Sequence, residues 1–396
     1  MISQRQLFLN HLAQTTDFPL SLEIEKAEGL YLYASDGKRY LDLISGISVS
    51  NVGHRHPRVI EAIKDQLDKY LHLMVYGEYI QAPQVKLAHK LTRLLGEGFD
   101  SVYFVNSGSE ATEGALKLAR RYTGRPEVVY MHKAYHGSTN GALSVIGSED
   151  FKRAFRPLSP GNRQIEFNEP DQLQLITTRT ATVIAEPVQG EAGYVPPAHD
   201  YIQALRKRCN EVGALLIFDE VQTGFGRTGS FFAFQGMGVI PDIITLAKGM
   251  GGGMPIGAFV ASKKVMDSLK ENPILGHITT FGGHPASCAA SLATIQTIED
   301  EKLAEQVDRK SRLFKDYLTH PAIKEVRGKG LMLAVQLDTF ENLQMVIDQC
   351  LKKGLITDWF LFCDNAMRIS PPLIITESEI KEACSIITKA LEKVYG

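Results

Sequence analysis

The stretch "DIITLAKGMGGGMPIGAFV", Asp242 to Val260, decides how this chain is read. Ile243, Ile244, Leu246 and Ala247 make a short apolar run of the kind that forms a buried strand. Gly249, Gly251, Gly252 and Gly253 strip side chains from the turn that follows. Lys248 stands between the two. A solvated lysine at a strand end is the ordinary explanation. A nucleotide-binding phosphate loop is excluded by residue order, because there the lysine follows the glycines and precedes Ser or Thr. What remains is a lysine aimed into a site where a flat group approaches bare backbone closely.

The flanking sequence supplies a fold for that strand. Further strand candidates are "VYFVN" (102–106), "VVYM" (128–131), "TVIAE" (182–186), "LLIFD" (215–219) and "AFVA" (258–261), besides "IITLA" (243–247) itself. Helical patterns such as "SEATEGALKLARRYTG" and "HDYIQALRKRCNEVG" lie between several of them. Short apolar strands with helical crossovers predict an α/β fold, a large domain whose mainly parallel mixed sheet is covered by helices on both faces. Near the start, "LYLYASDGKRYLDL" has two alternating runs around Asp36-Gly37, a hairpin signal. From about residue 298 the pattern becomes helix, strand, helix, strand, helix, a smaller α+β domain. The expected division is 1–54 as an N-terminal segment packing with the small domain, 55–297 as the large domain and 298–396 as the small C-terminal domain.

Composition narrows the function classes. The chain has 396 residues, 44% hydrophobic and 22% charged, with a net charge of −2, as expected of a globular chain with a large core. Such a balance offers no electrostatic footprint for nucleic acid or an anionic membrane. The N-terminal "MISQRQLFLNHLAQTTDF" lacks the apolar core of a signal peptide, and no run approaches a membrane span. Cys209, Cys288, Cys350, Cys363 and Cys384 are scattered without C-x-x-C spacing, so reduced thiols and a cytoplasmic location are expected. No metal-ligand cluster stands out. "GHRHP" (53–57) carries two histidines without further spaced ligands and reads as a loop.

In open α/β sheets, ligands sit beyond the carboxyl ends of the strands. Polar residues fall there repeatedly: Asn106 to Ser109, Glu186, Asp219 and Lys248. In "NSGSEAT" (106–112), Ser107 with Glu110 fits a capping box. The same strand-to-helix turn suits a phosphate, through free amides, hydroxyls and the helix dipole. Asp219 ends an apolar strand, where a carboxylate needs a cation or donors. Arg227 is one candidate partner, a protonated heteroaromatic nitrogen another, with Gln222 placed to bond a neighbouring oxygen. Phosphate cradle, buried carboxylate and lysine together match the needs of pyridoxal phosphate.

"EPVQGEAGY", "FDEVQTGFGRTG", "LAKGMGGGMPIGA", "TTFGGHP" and "MRISPPL" resemble, in order and spacing, the class III aminotransferases, the family of acetylornithine, ornithine and 4-aminobutyrate aminotransferases. The resemblance runs from "GKRYLDLISGI" to "PPLIIT". It implies the fold-type I architecture and an amino transfer from an ω-amino or basic amino acid to a 2-oxo acid such as 2-oxoglutarate, by ping-pong half-reactions. Racemases, aminomutases and a decarboxylase share this scaffold. A non-catalytic binding protein is disfavoured, since Lys248 and Asp219 are both present. By resemblance, Lys248 is the Schiff-base lysine and Asp219 the partner of the ring nitrogen. Gln222 would meet the ring hydroxyl, Ser107, Gly108 and Ser109 the phosphate, and Tyr135 the ring face, with core packing as the plain alternative for Tyr135. Thr280 resembles a threonine that reaches the phosphate from the neighbouring subunit, which implies a homodimer with shared sites. Arg368 resembles the arginine that takes the substrate α-carboxylate. Glu191 resembles the glutamate paired with that arginine in its absence, and Glu186 is expected near the same face. Two departures stand out: His284 replaces a common asparagine after the paired glycines, and Ser138 follows "YHG" where many dicarboxylate-using relatives carry an arginine.

Overall fold

The structure, a computed structural model, describes residues 2–75 and 77–396. Seven strands form the central sheet: β4 (Ser101–Val105), β5 (Glu127–Met131), β6 (Asn162–Ile165), β7 (Thr180–Ala185), β8 (Leu215–Asp219), β9 (Ile243–Leu246) and β10 (Gly257–Ala261). Their order is β4-β10-β9-β8-β7-β5-β6, and β10 alone runs against its neighbours. The parallel strands β5, β7, β8 and β9 are buried along their whole length, which is why they read as continuous apolar runs rather than alternating ones. The edge strand β6, "NRQI", escaped the sequence reading. It is mostly polar, its middle residues face solvent, and only Ile165 reaches the core.

Helices cover both faces. The helix Gly108–Thr123 follows β4, is capped by Ser107 and ends at Gly124 in the left-handed conformation. It lies so close on the sheet that a Cβ on Gly114 would come 2.2 Å from the Phe259 ring, so glycine sets the packing distance there.

The N-terminal strands β1 (Ile24–Glu28), β2 (Tyr31–Ala34) and β3 (Arg39–Asp42) form the expected hairpin region. Its outer edge is completed from the far end of the chain. Strand β13 (Leu355–Ile356) pairs in parallel with β3, Leu355 opposite Leu41 and Ile356 opposite Asp42. A third sheet, β11 (Glu325–Lys329), β12 (Met332–Gln336), β15 (Cys363–Ile369) and β14 (Asp358–Phe360), stands in that order. The C-terminal part thus carries more strands than its helix-strand alternation suggested, because β13 and β14 are only two and three residues long. Among the described residues no helix is long and apolar enough to cross a membrane, and no group of three or more acidic, His or Cys side chains could hold a metal. His54 of "GHRHP" instead meets Asp42 at 2.8 Å.

Candidate active site

The carboxyl edge of the central sheet opens on a cavity of about 420 Å³. Ser107, Gly108, Ser109, Tyr135, Glu186, Asp219, Gln222 and Lys248 all line it, brought together from the ends of β4, β5, β7, β8 and β9. Lys248 opens a single 3-10 turn, Lys248–Gly251, with φ at +48°. A lysine in left-handed backbone costs on the order of 1–3 kcal/mol and persists only where its surroundings hold it. The turn is held by the Met250 amide on the Ala247 carbonyl and by Gly249 against Asn51. Among the described residues the Lys248 amine makes no hydrogen bond and no ion pair. Burial holds it below the usual lysine range, against the pull of Glu191 and Asp219.

Asp219 closes β8 and its partner is His136. The Nδ1–H of His136 donates to Asp219 Oδ2 at 2.7 Å, and both side chains are all but inaccessible. The Val221 amide donates to Asp219 Oδ1 at 3.0 Å. Arg227, the other partner considered from sequence, points away. Its guanidinium serves the carbonyls of Leu331 and Pro371 and the side chain of Asn51, tying the β8 loop to the C-terminal part. His136 was not singled out from the sequence, although it adjoins Tyr135; nothing in "YHG" says which of its residues turns inward.

The turn after β4 is only half a capping box. Ser107 Oγ accepts from the Glu110 amide at 3.2 Å, but the Glu110 carboxylate turns back to the Asn106 amide and side chain. Ser109 Oγ accepts from the Ser138 amide at 3.1 Å. Both serine hydroxyls therefore use their acceptor side internally and keep a proton to donate. The amides of Gly108 and Ser109 have no partner among the described residues. Gly108 is a close-approach glycine: a Cβ there would sit 3.0 Å from Val221.

Glu186 lies in this chamber and not beside Arg368. Its two oxygens accept from the amides of Tyr135 (3.0 Å) and Gly190 (2.8 Å), so it braces two loops. Burial pushes its carboxyl up to about 7, opposed by His136 and those two amides.

A second chamber adjoins the first and shares Tyr135 and Lys248 with it. Arg368 and Glu191 face each other there as a double fork, Nη1 to Oε1 at 3.1 Å and Nη2 to Oε2 at 2.8 Å. The Arg368 guanidinium also lies 4.5 Å from the Phe360 ring centre. Burial opposes ionisation of Glu191, but Arg368 outweighs it and holds the carboxyl below its usual range. Gln222 Nε2 donates to Glu191 Oε1 at 3.3 Å and so joins the two chambers. Asp358 is a further carboxylate that sequence reasoning missed, its Oδ1 accepting from Arg368 Nε at 2.9 Å. Thr280 lines neither chamber. It is exposed, and its carbonyl meets His72 Nε2 at 2.9 Å.

These residues suit pyridoxal phosphate. Free amides and hydroxyls at a helix start fit a phosphate. The buried Oε1 of Gln222 and Nε2 of His136 lack partners in the protein, as expected where a polar ring completes the site. The lone amine of Lys248 fits an aldehyde.

Comparison with known proteins places this geometry. The family model described as aminotransferase class-III matches residues 12–391. The acetylornithine aminotransferase of Methanocaldococcus jannaschii is 40% identical over 388 residues, covering 95% of this chain and 94% of its own. Ornithine aminotransferase 1 of Staphylococcus aureus is 36% identical, covering 98% of this chain and all of its own length (100%). The ornithine aminotransferase of Toxoplasma gondii, solved with partial occupancy of PLP at its active site, superposes with a TM-score of 0.91 at 31% identity, over 98% of this chain and 93% of that one. A match that runs almost end to end, on a fold whose strand ends carry the lysine and the carboxylate, makes this chain a member of the class-III aminotransferases.

Proposed function

We propose that this transaminase takes its amino group from an ω-amino acid or a basic amino acid of the acetylornithine or ornithine type and passes it to a 2-oxo acid such as 2-oxoglutarate, in two half-reactions at one site. The observation that carries the reading is the joining of two chambers at Lys248. One has the anion cradle and the Asp219–His136 pair, and the other has an arginine fork that a carboxylate can enter. Relatives of both donor types lie at similar distance from this chain.

Ser107, Gly108 and Ser109 would hold the phosphate of pyridoxal phosphate, Asp219 its ring nitrogen and Gln222 its ring oxygen. Tyr135 and Val221 would give apolar surface to its ring. Bound there, the cofactor supplies an aldehyde that links to amines and a cationic ring that draws electrons from the neighbouring carbon. His136 orients Asp219. Lys248, whose charged form burial disfavours, can accept and return the proton that moves during transfer. Glu191 occupies the Arg368 fork until a carboxylate takes its place.

Thr280 would complete the phosphate site of a second copy in a homodimer. It sits among exposed apolar residues, Ile278 and Phe281 beside it and His72 with Leu71 and Leu73 across from it, which a two-fold interface would cover. The same proposal divides the chain at residues 54 and 297.

The test separates the half-reactions. Enzyme loaded with pyridoxal phosphate and given donor alone should release carbonyl product in proportion to its sites and then stop. Adding 2-oxoglutarate alone to the desalted enzyme should release the matching amount of glutamate. Release of product only when both substrates are present together would overturn the two-step reading.

A further inference from the structure

We infer that Asp358 makes the second chamber a recognition site for an ammonium group at the far end of the donor. The inference rests on the transaminase reading and narrows its substrate class. Asp358 begins β14, and the hairpin β14–β15 folds it back against Arg368, which lies opposite it in the register. Only one of its oxygens is used, Oδ1 on Arg368 Nε. Oδ2 has no partner among the described residues, the side chain is 28% exposed, and Asp358 lines the chamber with Glu191, Trp359, Tyr135 and Lys248.

Charge accounting points the same way. Arg368 carries one positive charge and already has a complete partner in the Glu191 fork. Asp358 adds a second carboxylate to the same guanidinium, so the trio is net negative at the chamber wall. A half-buried excess charge draws a counter-ion into the chamber. A donor carboxylate entering the fork would displace Glu191 and leave Asp358 in place, since Asp358 holds the Nε edge and not the terminal nitrogens. The free oxygen then faces whatever stands beside that carboxylate. A free ammonium there gains a charge-assisted bond, whereas an acylated nitrogen loses the charge. The donor class is thus a terminal diamine or a basic amino acid with its far amine free, in preference to its N-acylated form.

The experiment uses the holoenzyme with 1,5-diaminopentane and its mono-acetylated form as donors, and n-butylguanidinium as a cation that cannot transfer its nitrogen. Wild type should favour the diamine in kcat/KM by about tenfold or more, the scale of one charge-assisted bond. Calorimetry should show n-butylguanidinium binding to wild type, and Asp358→Asn should weaken it by a similar factor. Asp358→Asn should also collapse the diamine preference, and Asp358→Glu should retain most of it. A wild-type preference for the acetylated donor, or a preference and a guanidinium affinity that Asp358→Asn leaves within twofold, overturns the assignment. The calorimetric arm needs no turnover, so it judges Asp358 even if the donors of the proposed function prove wrong. Turnover with an unchanged ratio sinks Asp358 alone.

Discussion

His136 and Asp219, 83 residues apart in sequence, meet at 2.7 Å with both side chains sealed from solvent. The pair fixes one carboxylate oxygen while the Val221 amide holds the other. A carboxylate so held can serve a cationic ring without turning away. Asp219→Asn should therefore slow the chemical step far more than it weakens cofactor binding. Losing a buried charge partner costs about 3–5 kcal/mol, or roughly two to four decades of rate if felt fully in the transition state. Single-turnover kinetics against a cofactor titration will separate the two, and a mutant within threefold of wild type would make Asp219 merely structural.

Lys248→Ala should abolish repeated turnover, because among the described residues no other amine lines the first chamber. The mutant should still bind pyridoxal phosphate through the amides and hydroxyls at Ser107 to Ser109. Borohydride reduction followed by peptide mapping checks this. Label at the peptide spanning 248 is expected in wild type and absent in the mutant, and label persisting there in the mutant rules the assignment out.

The sheet and the strand-end residues were legible in the sequence because buried parallel strands are continuous apolar runs, and a polar residue at the end of such a run stands out. The Asp219–His136 contact was not, since it depends on which way the loop after β5 turns its side chains. Asp358 was hidden for another reason. It opens a three-residue strand, and only the register of β14 on β15 places it opposite Arg368. Strand β6 lies at the edge, where two exposed positions dilute the apolar signal that a central strand gives.

Arg368 stands between two carboxylates, so its removal should be felt in stability. Arg368→Met leaves Glu191 buried and Asp358 half-buried without their cation and should destabilise the fold by about 3–5 kcal/mol. Adding Glu191→Gln should recover part of that loss. Chemical denaturation of the holoenzyme measures both, and a single mutant within about 1 kcal/mol of wild type would show that solvent reaches the trio.

Mixed dimers test the proposed sharing of Thr280. A Lys248→Ala subunit paired with a Thr280→Ala subunit should give one site with both residues and one with neither. Activity above both parent homodimers is expected. Verified hybrids that recover nothing count against a shared site.

Ser138 lies at the exposed rim, its hydroxyl 3.0 Å from that of Tyr135. A serine cannot replace a bidentate cation, so a donor's distal carboxylate finds no fork there. Ser138→Arg should raise kcat/KM for donors with a distal carboxylate relative to neutral-tailed ones, by about tenfold for one charge-assisted bond. If wild type already prefers the dicarboxylate and the substitution weakens that preference, the vacancy at position 138 is not what sets specificity.

The pairing of Leu41 with Leu355 has a consequence for how the chain is made. The β2–β3 hairpin leaves the ribosome early, yet its outer neighbour is synthesised last but for some forty residues. At the usual rates of translation the hairpin waits roughly 15 to 60 s for β13, with Leu41 and Leu43 unsheltered for that time. The seven-stranded sheet, whose strands emerge in between, can close first. The early stretch after β3, whose Ile47 and Val49 line the two chambers, is therefore among the last parts to find its place, and a nascent chain stalled before residue 355 would hold a formed central sheet with its beginning still loose.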